Sequence, residues 1–166
     1  MATGPRYKVP FRRRREGRTD YRQRRALLRA RLPRAVVRTT LRNTSVQVVE
    51  YDAKGDRIVA AAHSHELLDL GWKASTGNLP AAYLTGYLAG MRAKKKGVDE
   101  AVLDIGLKEP VKGAACFATL KGLLDAGVEI PHSEDILPGE DRLKGKHINA
   151  EMEKMIEEVK NRMEVD

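Results

Sequence analysis

The first 31 residues are too highly charged to enter a hydrophobic core, so the folded part of the chain must be built from residues 32–166. Between positions 6 and 31 stand Arg6, Lys8, Arg12, Arg13, Arg14, Arg15, Arg18, Arg22, Arg24, Arg25, Arg29 and Arg31, against Glu16 and Asp20 alone. Residues 1–31 therefore carry +10, whereas the other 135 positions hold 19 basic and 21 acidic side chains. A run so dense repels itself until a polyanion neutralises it. Eleven of the twelve cations are arginine, whose planar fork of donors matches phosphate oxygens in pairs and stacks on flat rings. Tyr7, Phe11 and Tyr21 are interleaved with them. The pattern predicts an arm, residues 1–32, that lies along a nucleic-acid backbone and stacks on unpaired bases. Its candidate contacts are Arg6, Tyr7, Lys8, Phe11, Arg12, Arg13, Arg14, Arg15, Arg18, Tyr21, Arg22, Arg24, Arg25 and Arg29.

With the arm set aside, enough chain remains for one domain that buries roughly two thirds of its unfolded surface. An apolar content of 42% with 33% charged residues fits a packed core under a charged skin and excludes a disordered protein. The single cysteine, Cys116, rules out a disulfide framework and favours a reducing compartment. No apolar run approaches the roughly 18 residues of a membrane span, and the N-terminus lacks the apolar middle of a signal peptide. The expected location is the cytoplasm, with no membrane partner.

Along the chain, Gly4, Pro5, Pro10 and Gly17 predict an extended segment over 1–18. Asp20 is placed to cap a short basic helix over 21–31, stopped by Pro33. The apolar period then becomes two. Residues 35–41, 46–51 and 57–62 are β-branched or small-residue runs separated by turn-forming clusters, which predicts an antiparallel meander. Ser64 is the candidate cap of a short helix ending at Gly71. Asn78 and Pro80 open a long helix that runs to about Lys96, with Ala81, Leu84, Leu88 and Met91 on one face. A strand over 101–105, a helix over 114–126 with Phe117, Leu120 and Leu124 aligned, and a strand over 128–130 complete the pattern. Alternation of that kind implies parallel pairing through right-handed crossovers. The globular domain is expected over 33–132, followed over 133–166 by a loop and an amphipathic helix spaced by Ile148, Met152, Met155, Ile156, Val159 and Met163.

Few residues suggest chemistry. His63 and His65 alternate, but His132 and His147 lie far off without metal-ligand spacing, so no metal or cofactor is expected. Gly86 and Gly90 predict close packing of a helix on the sheet. Residues 75–78 open onto a helix N-terminus beside Lys73, so Lys73, Thr76 and Asn78 are candidate phosphate contacts, with plain helix capping as the alternative. Asp104 sits on an expected central strand with no second carboxylate converging on it.

The motifs carry a resemblance. Gly4-Pro5-Arg6-Tyr7-Lys8-Val9-Pro10, Arg18-Thr19-Asp20-Tyr21 and Pro33-Arg34, then Thr76-Gly77-Asn78 with Pro80 to Gly86, Ala101 to Leu107, and Asp125-Ala126-Gly127 with Ile130-Pro131-His132, resemble the large-subunit ribosomal protein family that binds 5S ribosomal RNA. It is number eighteen in the universal scheme; the resemblance is to its archaeal form, and its eukaryotic relative is the longer protein five. The likeness runs from about residue 3 to residue 148. It implies a three-layer α/β fold like that of ribonuclease H, with a mixed five-stranded sheet of order 3-2-1-4-5. It also implies an arm threaded between 5S and large-subunit rRNA, helping to dock 5S rRNA in the central protuberance among neighbouring large-subunit ribosomal proteins.

Three function classes compete. A structural RNA-binding component of the ribosome, or of another ribonucleoprotein, accounts for the segregated charge and the missing catalytic constellation. A ribonuclease H-like enzyme needs a metal-binding carboxylate on its first strand, and residues 35–41 contain no acid. A membrane-surface or generic polyanion binder would use the arm and leave the globular motifs without a role.

Overall fold

The change of apolar period after the arm is realised as a sheet followed by helices. The computed structural model describes residues 4–149 and 151–165; the expected arm residues 1–3, and Ala150 and Asp166 of the terminal segment, lie outside these. The arm holds one helical turn, α1 (Arg12–Arg15), and a helix α2 (Tyr21–Leu28). Asp20 caps α2 by accepting from the backbone N–H groups of Arg22 and Gln23 at 2.8 and 3.2 Å. Neither helix contains a buried residue. Over 1–18 an extended chain was expected; α1 is the departure, closed by Gly17 at φ 62°.

Strands β1 (Arg34–Thr39), β2 (Thr44–Glu50) and β3 (Arg57–His63) form the antiparallel meander, and β4 (Val102–Asp104) pairs parallel to β1. The sheet order is β3-β2-β1-β4. The fifth strand expected over 128–130 is reduced to one parallel bridge, Glu100 with Glu129, held by Glu129 N–H to Asp99 O at 2.8 Å and Ala101 N–H to Glu129 O at 3.0 Å. Pro131 comes directly after Ile130 and supplies no donor to lengthen the ladder.

Alternation along the strands divides the sheet into two unlike faces. Ala35, Val37, Val46, Val48, Ala60 and Ala62 are buried under α3 (Leu79–Lys95) and α4 (Ala115–Asp125). Helix α3 is buried nearly all round, because α4, α5 (Glu140–Leu143) and α6 (Met152–Val165) also pack on it. Gly86 and Gly90 do mark close packing, but against α4 and not against the sheet. A Cβ on Gly86 would stand 2.1 Å from Thr119 O, and one on Gly122 would stand 2.1 Å from Tyr83 O. The two helix backbones touch there. At the C-terminus, Met152, Ile156, Val159 and Met163 are buried as the spacing predicts, whereas Ile148 is exposed ahead of the helix. Lys160 donates to the Tyr83 hydroxyl at 2.6 Å and Tyr83 donates to Asp125 Oδ2 at 2.7 Å, which ties α6 to α3 and α4. Burial first, then Asp125, pushes the Tyr83 phenol well above its ordinary pKa.

The short helix after β3 is a 3-10 helix over Ser64–Leu68, capped by His63 and not by Ser64. Ser64 is fully buried, and its Oγ accepts from Thr44 N–H at 3.0 Å. The loop expected to open the 133–166 segment contains a 3-10 turn (Glu134–Ile136) as well as α5.

On the opposite face a chain of charges crosses the sheet. Arg34, only 3% exposed, donates from Nη1 to Asp104 Oδ2 and from Nη2 to Asp56 Oδ2, both at 2.6 Å. Arg24 of α2 donates to both oxygens of Asp56 at 2.9 and 2.7 Å, and Arg38 reaches Asp104 Oδ1 at 3.2 Å. The arm helix, the β2–β3 turn, β1 and β4 are thereby joined. Replacing Asp104 with Ala strands the Arg34 charge in a buried site, so stability should fall by about 3–5 kcal/mol, while Arg34→Met, which fills the volume without the charge, should cost much less. Denaturant titration of the two variants checks this; equal losses would refute it. Gly122→Ala should cost about 3 kcal/mol, a Tm lower by roughly 6–12 °C, since the clash is with backbone.

Candidate nucleic-acid interface

The arm presents its cations outward because its large apolar residues, Tyr7, Val9, Phe11 and Tyr21, are themselves exposed and none anchors it in the core. Arg6, Lys8, Arg12, Arg13, Arg14, Arg15, Arg18, Arg22, Arg25 and Arg29 are all exposed. Some are engaged within the protein. Arg12 and Arg18 flank Glu16 at 3.8 and 3.2 Å, and Arg13 donates to Thr19 Oγ1 at 2.8 Å. Arg24 is half-buried and committed to Asp56. Among the described residues, the side chains of Arg6, Lys8, Arg14, Arg15, Arg22, Arg25 and Arg29 have no acceptor in the protein. Phe11 and Tyr21 lie with ring centroids 5.8 Å apart and tilted by 48°, so α1 folds back towards α2. Phe11 remains 76% exposed, and Tyr7 is exposed as well. Unpaired arginines beside uncovered rings suit phosphates and splayed bases.

The loop at 73–78 stands elsewhere, at the end of the molecule where β1 turns into β2. Asn78 is the N-cap of α3 and accepts from Ala81 N–H at 2.8 Å. Thr76 donates to Arg42 O at 2.7 Å and contacts Asn43 Oδ1 at 3.1 Å. Ser75 Oγ accepts from Gly77 N–H, and a Cβ on Gly77 would meet Leu41 O at 2.4 Å. The loop is thus clamped to the β1–β2 turn. Thr76 and Asn78 both serve the fold, leaving Lys73, which is exposed, as the cation free to meet a phosphate.

Two features of the interface escape a reading of the sequence by local rules. The first is the charge chain through Asp56, Arg34 and Asp104, which seats α2 and gives the apparently isolated Asp104 two arginine partners. The second is a cleft of 820 Å³ between the arm and the face of the sheet opposite α3 and α4, lined by Arg13, Arg18, Tyr21, Val36, Arg38, Ile58, Leu107 and Lys108 among others. A signal for both exists in the sequence: Arg34, Val36 and Arg38 alternate with the core residues Ala35 and Val37, which marks that face as one a helix layer does not cover. Cys116 is a buried small hydrophobe whose thiol pKa is raised by burial. Among the described residues no group of histidine, cysteine or carboxylate side chains converges to hold a metal ion, and no helix is long and apolar enough to cross a membrane.

Comparison with known proteins agrees with this geometry. The family model described as "Ribosomal large subunit proteins 60S L5, and 50S L18" matches residues 5–100 and 92–133. A large ribosomal subunit protein uL18 from Korarchaeum cryptofilum (strain OPF8) is 57% identical over 158 residues, covering 95% of this chain and 81% of the relative. Both matches span the meander, the α3–α4 pair and most of the arm. The chain therefore belongs to the uL18 family of large-subunit ribosomal proteins, structural components of the cytoplasmic ribosome and not enzymes.

Proposed function

We propose that the chain binds 5S rRNA and helps hold it against large-subunit rRNA in the central protuberance, with residues 1–32 as the principal contact. One observation carries this reading: Arg6, Arg14, Arg15, Arg22, Arg25 and Arg29 are spread along the arm, exposed, and without an acceptor among the described residues. Separated guanidinium groups of that kind match the phosphates of a folded polyanion better than the compact charge of a small ligand. Tyr7, Lys8, Phe11, Tyr21 and the cations at positions 12, 13, 18 and 24 complete the contact surface. Lys73, beside Thr76 and Asn78, is a second, smaller contact at the far end of the sheet. Residues 33–132 act as the scaffold that orients the arm, and α6 braces that scaffold through Lys160, Tyr83 and Asp125. The Glu100–Glu129 bridge supports reading the sheet as order 3-2-1-4-5 in the ribonuclease H-like arrangement, with its fifth strand reduced to one bridge.

Binding to 5S rRNA with transfer RNA as competitor, measured across a salt series, tests the assignment; equal affinity for the two RNAs would overturn it. Changing Arg12, Arg13, Arg14 and Arg15 together to lysine keeps the charge and removes the paired donors, so 5S affinity should fall by about tenfold or more with the fold intact. Retained affinity would mean that the arm acts by charge alone. Lys73→Ala should lower the log-log salt slope by about 0.7 to 0.9, whereas Asn78→Ala should cost about 0.5–2 kcal/mol of stability. An unchanged slope in Lys73→Ala would reduce the loop to a helix cap.

A further inference from the structure

Outside the arm and the loop at 73–78, the strongest unassigned feature is the cleft on the open face of the sheet. Six cations line it against three carboxylates: Arg13, Arg18, Arg24, Arg34, Arg38 and Lys108, with Asp20, Asp56 and Asp104. All three acids already accept from the protein. Asp20 caps α2, Asp56 holds Arg24 and Arg34, and Asp104 holds Arg34 and Arg38. What remains for a ligand is therefore net positive.

Arg38 is built into place. Its Nη1 donates to Val37 O and Asp104 O, each at 2.8 Å, and its Nη2 to Asp104 Oδ1 at 3.2 Å. A Cβ on Gly106 would lie 2.9, 3.1 and 3.2 Å from Cζ, Nη2 and Nη1 of Arg38. These near-equal distances lay one face of the guanidinium flat against the glycine, which sits at φ 67° with its N–H bonded to Asp104 Oδ1 at 2.9 Å. The side chain is nevertheless 47% exposed. Next to Gly106, Leu107 is 57% exposed; Ile58, 52% exposed, lies at the far end of the cleft, level with Arg34 and two strands from β1. A planar cation fixed at three points, next to an uncovered aliphatic side chain, with Arg13 and Lys108 lining the same cleft and paired with no carboxylate among the described residues, fits a flat heteroaromatic ring attached to a phosphate. The volume is in the range that encloses a small molecule or a nucleotide.

We propose that this cleft is a further RNA site that receives an unpaired nucleotide of a single-stranded segment, with the base on Arg38 and Leu107 and its phosphate towards Lys108 and Arg13. The proposal rests on the reading that the chain binds RNA, and it adds to the exposed rings of the arm a separate place, on the sheet face, where an unpaired base is received.

The test uses the full chain and measures binding of a short single-stranded RNA, of the duplex of the same sequence, of poly-glutamate and of 5S rRNA, with a thermal melt of every variant. Arg38→Ala should weaken single-strand binding about tenfold and duplex binding by less than about twofold. Arg38→Lys should not restore it, because the plane is lost. Leu107→Asp, at an exposed position, should leave the melt unchanged and weaken the single strand as well. Unchanged single-strand affinity in both Arg38→Ala and Leu107→Asp overturns the proposal, as does an equal fall for single strand and duplex. Poly-glutamate binding with the same Arg38 dependence also overturns it, in favour of an acidic protein segment. If 5S rRNA is not preferred over transfer RNA while the Arg38 dependence persists, the cleft stands and the 5S assignment falls.

Discussion

The buried guanidinium of Arg34 is the constraint around which the exposed side of this molecule is arranged. Removing such a charge from water costs several kcal/mol, which only well-placed counter-charges offset. Here they come from two directions, Asp56 on the β2–β3 turn and Asp104 at the end of β4. Each of those carboxylates then takes a second arginine, Arg24 from the arm helix and Arg38 from the strand that carries Arg34. Satisfying one buried cation therefore fixes where α2 sits, how the turn closes and which way Arg38 faces. Only Arg34 Nε is left without a protein partner among the described buried side-chain atoms.

On the other side the organising contact is steric. The helices α3 and α4 meet backbone to backbone at Gly86 and Gly122, so they approach closely, and small residues such as Ala81, Ala82, Ala89 and Ala118 are buried in this layer. A sheet backed in this way needs no helices on its second face. That face is free to hold charge, and the +10 arm has somewhere to lodge that is neither core nor bulk water. One face of the four-stranded sheet carries the core and the other carries charge.

Much of this is legible in the sequence because it depends on local rules. The meander, Asp20 and Asn78 as caps, Pro80 in a first turn and the buried spacing of Met152, Ile156, Val159 and Met163 follow from period and capping chemistry. The gaps arise where partners are distant in sequence. His63 displaces Ser64 as a cap because the Ser64 hydroxyl is needed by Thr44, twenty residues earlier. Asp104 looks isolated in the sequence because Arg34 lies seventy residues away. The spacing of Gly86 and Gly90 serves a second helix and not the sheet, a distinction that periodicity alone does not make. Val128 to Ile130 has strand composition, but the length of its ladder is set by Pro131 and by the register of residues 99–101, which is a tertiary matter.

The edge of the sheet formed by β3 has a consequence for a chain that must exist, however briefly, outside its assembly. Two of its carbonyls are occupied from the side by α3: Arg92 donates to Ala61 O at 2.7 Å and Lys96 donates to Val59 O. A neighbouring strand arriving there would have to displace two long cationic side chains, and Arg92 is also held by Glu66 at 2.7 Å. The edge is thus partly closed by side chains and not by a further strand or helix, so edge-to-edge pairing of copies through β3 is disfavoured while the chain stands alone.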